Sequence, residues 1–308
     1  MGHGHGHGHA HGRSRAGDRR RLRIALGITL TVLGVQVVGA VVTGSLALLA
    51  DAGHLATDAG AVVLALGAGM LAGRPAGPRS TFGWHRAEVL AALANAVVLF
   101  GVAAVLVWQA VPRLTDPPEV EAGGLVGFAI VGLLANAAAF AVLSGGDRGS
   151  LNLRGALAEV LADLLGSVFA VLAGVVILLT DWQQADPVAT LLIAVLIVPR
   201  ALVLLRDAGA VLLEVAPAGL DLEEVRRHLE ELPGVVEVHD LHAWTITSGL
   251  ASLSAHVTVT EDALAARGVG AVIDDLAECA ASHFEVRHTT FQVEPPGHRT
   301  HEDLGPLH

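Results

Sequence analysis

Six apolar runs, each close to the ~20 residues that a helix needs to cross a bilayer, constrain this chain more than anything else in it. They lie at Leu22–Val42, Ser45–Leu71, Ala87–Val111, Gly123–Leu143, Gly155–Thr180 and Pro187–Leu205. Apolar residues gathered at this length, rather than spaced at amphipathic period, read as spanning helices. A hydrophobic share of 53% with only 16% charged residues, over 308 residues, points the same way. The first two runs are parted by little more than "TGS" (43–45), a tight hairpin. A basic start followed by an apolar run resembles a signal peptide, but the hairpin and the five later runs favour a retained first helix.

Arginine placement orients the bundle. Arg13, Arg15, Arg19, Arg20, Arg21 and Arg23 precede the first span, and Arg74, Arg79 and Arg86 lie between the second and third. Arg148 and Arg154 lie between the fourth and fifth, Arg206 follows the sixth, and the opposite connections hold Arg113 alone. An arginine excess marks the cytoplasmic side, so both termini are expected there, in a multi-pass protein of the inner or plasma membrane. Residues 1–206 carry 14 Arg against 12 acids, whereas residues 207–308 carry 5 against 18. The acidity therefore belongs to a separate C-terminal unit, and no basic surface for nucleic acid is visible. The single cysteine, Cys279, rules out an intramolecular disulfide.

Beyond Leu205 the pattern changes. Residues 221–232 have helical period, 234–246 and 250–259 read as strands, 262–280 as a helix weakened by Gly268 and Gly270, and 287–294 as a last strand. The order α-β-β-α-β predicts a small α+β domain with an antiparallel sheet. The expected layout is a cytoplasmic His/Gly- and Arg-rich tail (1–21), a six-helix transmembrane bundle (22–206), an α+β domain (207–294) and a disordered end (295–308).

Ionisable groups inside the apolar runs call for a reason, because a charge at mid-bilayer costs roughly 2.5–3.5 kcal/mol even on insertion scales. "LLADAGHLATDAGAVVLALGAGM" (48–70) carries His54 and Asp58 four apart, on one helical face, with Asp51 a turn earlier. "GALAEVLADLLGS" (155–167) repeats the device with Glu159 and Asp163. Two helices that each present two such groups can converge on one point, where an imidazole and three carboxylates can hold a divalent cation tetrahedrally. A polar patch tied by interhelical hydrogen bonds is the bland alternative, and a second pair at the same spacing argues against it. Asp51 is open between a group behind the ligands and a solvated residue. Asn95 and Asn136 are expected to hydrogen-bond between helices.

"SLALLADAGHLATD" (45–58), "RSTFGWHRAEVLAALANAVVL" (79–99), "LNLRGALAEVLADLLGS" (151–167) and "HDLHAWTITSG" (239–249) resemble the cation diffusion facilitator family, in particular its zinc/cobalt/cadmium resistance branch. The resemblance covers about residues 20–294, with the blocks in order. It implies a homodimeric metal/proton antiporter that exports divalent cations, with a ferredoxin-like, metallochaperone-like cytoplasmic domain. By position it implies His54, Asp58, Glu159 and Asp163 as the transport ligands. Zinc-selective members usually have His where Glu159 stands. Glu adds an anionic oxygen and removes a nitrogen, which should loosen selectivity toward Cd²⁺ or Co²⁺, with Zn²⁺ still the first expectation. Ligands bind metal only when deprotonated, so metal and protons compete, and an imidazole such as His54 is the natural pH-sensitive member.

His3, His5, His7, His9 and His11 alternate with small residues, unlike the unbroken run of a purification tag, and are expected to form a natural metal-collecting tail. In the C-terminal domain, the family pattern implies His239 and His256 as regulatory ligands. Glu294 is a further candidate, and Gln292 is a poor one. No organic cofactor and no enzymatic activity are expected, because an intramembrane metalloenzyme would need a motif such as HExxH and none occurs. A metal sensor that moves no ions is the alternative. A channel is disfavoured, since a tetrahedral site binds too tightly for rapid passage.

Overall fold

The computed structural model describes residues 8–145, 151–247 and 249–298, without the side chains of 8–20, 22 and 151–154. Six long helices come first: α1 (Gly8–Thr43), α2 (Leu46–Ala72), α3 (Arg86–Arg113), α4 (Ala122–Ser144), α5 (Leu151–Thr180) and α6 (Ala185–Leu212). Each contains a stretch long and apolar enough to cross a membrane, from Arg23–Thr43 in α1 to all of α6. The six expected spans are thus present, and the sixth runs on past Leu205. The described side chains begin after the five N-terminal histidines, and the end from residue 299 also lies outside the described residues.

By compactness the chain divides into two units. One comprises residues 1–66 and 92–205, the other 67–91 and 206–308. In the first, α1 packs on α4 and α4 on α5. Small residues let these helices approach closely. A Cβ at Gly39 would come within 2.7 Å of the Phe128 ring, and one at Gly174 within 2.7 Å of Val126. The buried core runs through Leu46, Leu48, Leu99, Leu125, Ile177 and Ile193, while many leucines and valines on the other faces are exposed. That inversion suits helices whose outer surface meets lipid.

The second unit ends in α7 (Leu222–Glu230), β1 (Val235–Thr247), β2 (Leu250–Val259), α8 (Glu261–Phe284) and β3 (His288–Glu294). Asp221 caps α7 through the backbone N–H groups of Glu223 and Glu224, and Thr260 caps α8 through that of Ala263. The sheet order is β1-β2-β3. The small α+β domain is present, but its sheet corrects the antiparallel expectation: β1 pairs antiparallel with β2, and β2 pairs parallel with β3. The reason is α8, whose 24 residues carry the chain back before β3 starts, so that β3 re-enters in the direction of β2. Gly268 interrupts α8 at φ 76°, ψ 156°, a conformation that needs glycine.

Candidate metal centre

In the first unit, α2 and α5 bring His54, Asp58 and Asp163 together, with one ligand atom of each within 4.8 Å of the others. His54 Nε2 lies 3.5 Å from Asp163 Oδ1 and 3.7 Å from Asp58 Oδ2. Ligand bonds of about 2.0–2.2 Å at tetrahedral angles put ligand atoms roughly 3.3–3.6 Å apart, so the spacing suits one small dication. Asp163 is 3% exposed and His54 5%, and Asp163 Oδ1 and His54 Nδ1 are buried without a hydrogen bond among the described residues. Buried groups of this kind ask for a partner. A cavity of about 260 Å³ reaches Asp58, Glu159 and Asp163 from the side of α1.

Glu159 is on the expected face but outside the trio. It pairs with Arg200 of α6, which also lies 3.3 Å from Asp58 Oδ1. Sequence reasoning passed over Arg200, although it stands inside the sixth apolar run, where the cost of a charge applies to it as to any acid. Asp51 is not solvated. At 1% exposure it accepts hydrogen bonds from Gln36 Nε2 at 2.8 Å and Ser167 Oγ at 3.4 Å. Asn136 bonds between helices as expected, donating to Ser167 at 3.2 Å.

The second unit holds another group, His239, His256 and Glu294, again with one ligand atom each within 4.8 Å. The register explains it: His239 stands opposite His256 and His256 opposite Gln292, with Glu294 two residues along the same face of β3. A register shift falls between His239 and His242, with Asp240 at φ 48°, so Val238 and His239 are both buried and His242 turns outward to Asp240. His256 Nδ1 lies 3.1 Å from Glu294 Oε1 and His239 Nε2 lies 3.7 Å from Glu294 Oε2. Gln292 donates to Glu294 at 2.8 Å, so it orients the carboxylate. Two imidazoles and a carboxylate 2% exposed are a donor set that fits zinc.

The chain matches the cation efflux transmembrane domain over residues 22–213 and the cytoplasmic domain of a cation efflux protein over residues 217–296. The metal cation efflux system protein CzcD of Cupriavidus metallidurans is 42% identical over 267 residues, covering 87% of this chain and 84% of that protein. The zinc transporter ZitB of Escherichia coli is 39% identical over 270 residues, covering 87% and 85%. A Bacillus subtilis protein named a cadmium, cobalt and zinc/H(+)-K(+) antiporter is 36% identical over 266 residues, covering 86% and 85%. Among solved structures, the metal-bound C-terminal domain of the C. metallidurans CzcD transporter aligns at 39% identity and a TM-score of 0.22, over 24% of this chain and 99% of that one.

Proposed function

This chain belongs to the cation efflux family, and from that premise we propose that it exports divalent transition-metal cations from the cytoplasm in exchange for protons, as a homodimer in the cell membrane. Zn²⁺ is the first cargo, with Cd²⁺ and Co²⁺ beside it. The observation that carries this reading is the meeting of His54, Asp58 and Asp163 from two apolar helices at separations that suit one dication. Glu159 is the fourth ligand in this reading, recruited from the turn before Asp163. The arginine-rich connections set the cytoplasmic side, and both termini lie there.

The chemistry follows from competition. A site open to the cytoplasm binds metal as its ligands lose protons, and the same site open outside gives the metal up as protons return. Alternating access needs only that the helices rock about a site near mid-bilayer. His239, His256 and Glu294 form a second, regulatory metal site in this reading. The histidine-rich N-terminus gathers metal for the transporter.

The test is zinc uptake into inside-out proteoliposomes under a pH gradient, beside Cd²⁺, Co²⁺, Ni²⁺ and Mn²⁺. Wild-type protein is expected to accumulate zinc and to alkalinise the lumen, and Asp163→Ala is expected to do neither while still eluting as a folded dimer. Full transport by Asp163→Ala would overturn the assignment. Zinc binding without uptake by the wild type would leave a sensor in its place.

A further inference from the structure

Arg200 has no part in a metal–proton exchange as written above, yet it is built into the same cluster. It follows Pro199 inside α6, where a proline removes one backbone hydrogen bond from the helix. Its Nη1 donates to Asp58 Oδ2 at 3.4 Å, its Nη2 lies 3.3 Å from Asp58 Oδ1, and the same Nη2 bonds Glu159. Asp58 Oδ2 is also the oxygen 3.7 Å from His54 Nε2. One carboxylate oxygen therefore serves the guanidinium and the ligand trio together.

We propose that Arg200 is a tethered cation that competes with the cargo metal for Asp58 and Glu159, so that metal entry and Arg200 release are a single event. The inference rests on the transport reading above. A dication bound by Asp58 and a guanidinium on the same carboxylate repel each other, far more strongly in a bundle interior than in water. In this proposal Glu159 joins the trio as it leaves Arg200. Neither side chain is fully enclosed: that of Glu159 is 47% exposed and that of Arg200 30%, and Glu159 lines the same cavity as Asp58 and Asp163. The fork of the guanidinium meets both oxygens of Asp58 while Nη2 also reaches Glu159, and a lysine lacks that planar two-point grip. Arg200 thus acts as a positioning residue. It holds Asp58 and Glu159 neutralised until metal arrives, weakens ground-state binding, and assists release by returning.

Full-length protein in nanodiscs, titrated with Zn²⁺ alone, and in proteoliposomes, assayed for zinc uptake, tests this. Arg200→Gln is expected to lower the zinc Kd and KM roughly tenfold, equivalent to about 1.4 kcal/mol, and to lower kcat as well. Arg200→Lys, which keeps the charge without the fork, is expected to fall between. A merely structural Arg200 would lower both activity and folded yield with Kd unchanged, so an unchanged or raised Kd in Arg200→Gln overturns the proposal. If Arg200→Gln does not fold, Arg200→Lys decides alone: a lower Kd supports it, an equal or higher one overturns it. The transport reading fails separately, through a wild type that moves no zinc or an active Asp163→Ala.

Discussion

A carboxylate buried among apolar helices needs donors, and Asp51 takes two of them from different helices. Gln36 of α1 and Ser167 of α5 hold it, and Asn136 of α4 holds Ser167. The packing leaves no slack: a Cβ at Gly132 would run into the Gln36 amide, and one at Gly166 would lie 3.1 Å from Asp51 Oδ1. Gln36→Leu removes the main donor and Gly132→Ala displaces it, so each is expected to cost about 1–3 kcal/mol. The readout is a lower Tm in detergent, with slower zinc uptake because Asp51 sits one turn from His54. Two variants that melt with the wild type would remove this network from the account. His54, Asp58 and Asp163 were legible in the sequence because spacing and apolar context point at them together. Gln36 was not, since a lone glutamine in an apolar run has no partner that spacing reveals, and its acid lies 15 residues away on the next helix. The Glu159–Arg200 pairing was hidden for the same reason, the two being 41 positions apart.

Helix α2, which carries two of the trio, starts inside the bundle, and its N-terminus is capped from another element. Asp186, in the first turn of α6 and fully buried, accepts from Ser45 Oγ at 2.5 Å, Leu46 N at 2.7 Å and Ala47 N at 3.1 Å. Those amides are among the first four that no helix satisfies internally, and here water cannot reach them. Asp186→Ala is expected to destabilise the protein by about 2–4 kcal/mol, and Asp186→Asn to recover part of that through its carbonyl oxygen. Thermal unfolding of the purified variants measures both, and equal Tm values for wild type and Asp186→Ala would refute the capping role. Local pattern shows that α2 begins after "TGS". It cannot show that a residue 140 positions away completes its end. The six helices and the α-β-β-α-β order were readable because each rests on a local period. The parallel pairing of β3 with β2 was not, because direction is set by how α8 returns the chain.

The whole molecule separates its charges, with acids and arginines nearly balanced in residues 1–206 and 5 Arg against 18 acids beyond. In the proposed homodimer two copies of the acidic domain repel each other, and a cation held by His239, His256 and Glu294 in each would lower that repulsion. Zinc is therefore expected to draw the two C-terminal domains together. Val236, 56% exposed on β1, is a suitable place for a spin label through Val236→Cys. The native Cys279 is buried, and burial together with the Glu231 carboxylate raises its thiol pKa. A raised pKa means less thiolate at neutral pH, so this cysteine reacts slowly with labelling reagents and can stay in place. The inter-protomer distance in full-length protein should shorten on adding Zn²⁺, and His256→Ala should abolish the shift without abolishing zinc uptake. Salt separates specific binding from general screening. Raising ionic strength, which shortens the Debye length to about 8 Å at physiological values, should draw the domains together to a similar small extent in wild type and His256→Ala. A zinc-induced shift that survives in His256→Ala would mean that diffuse cations, and not this site, govern the domains.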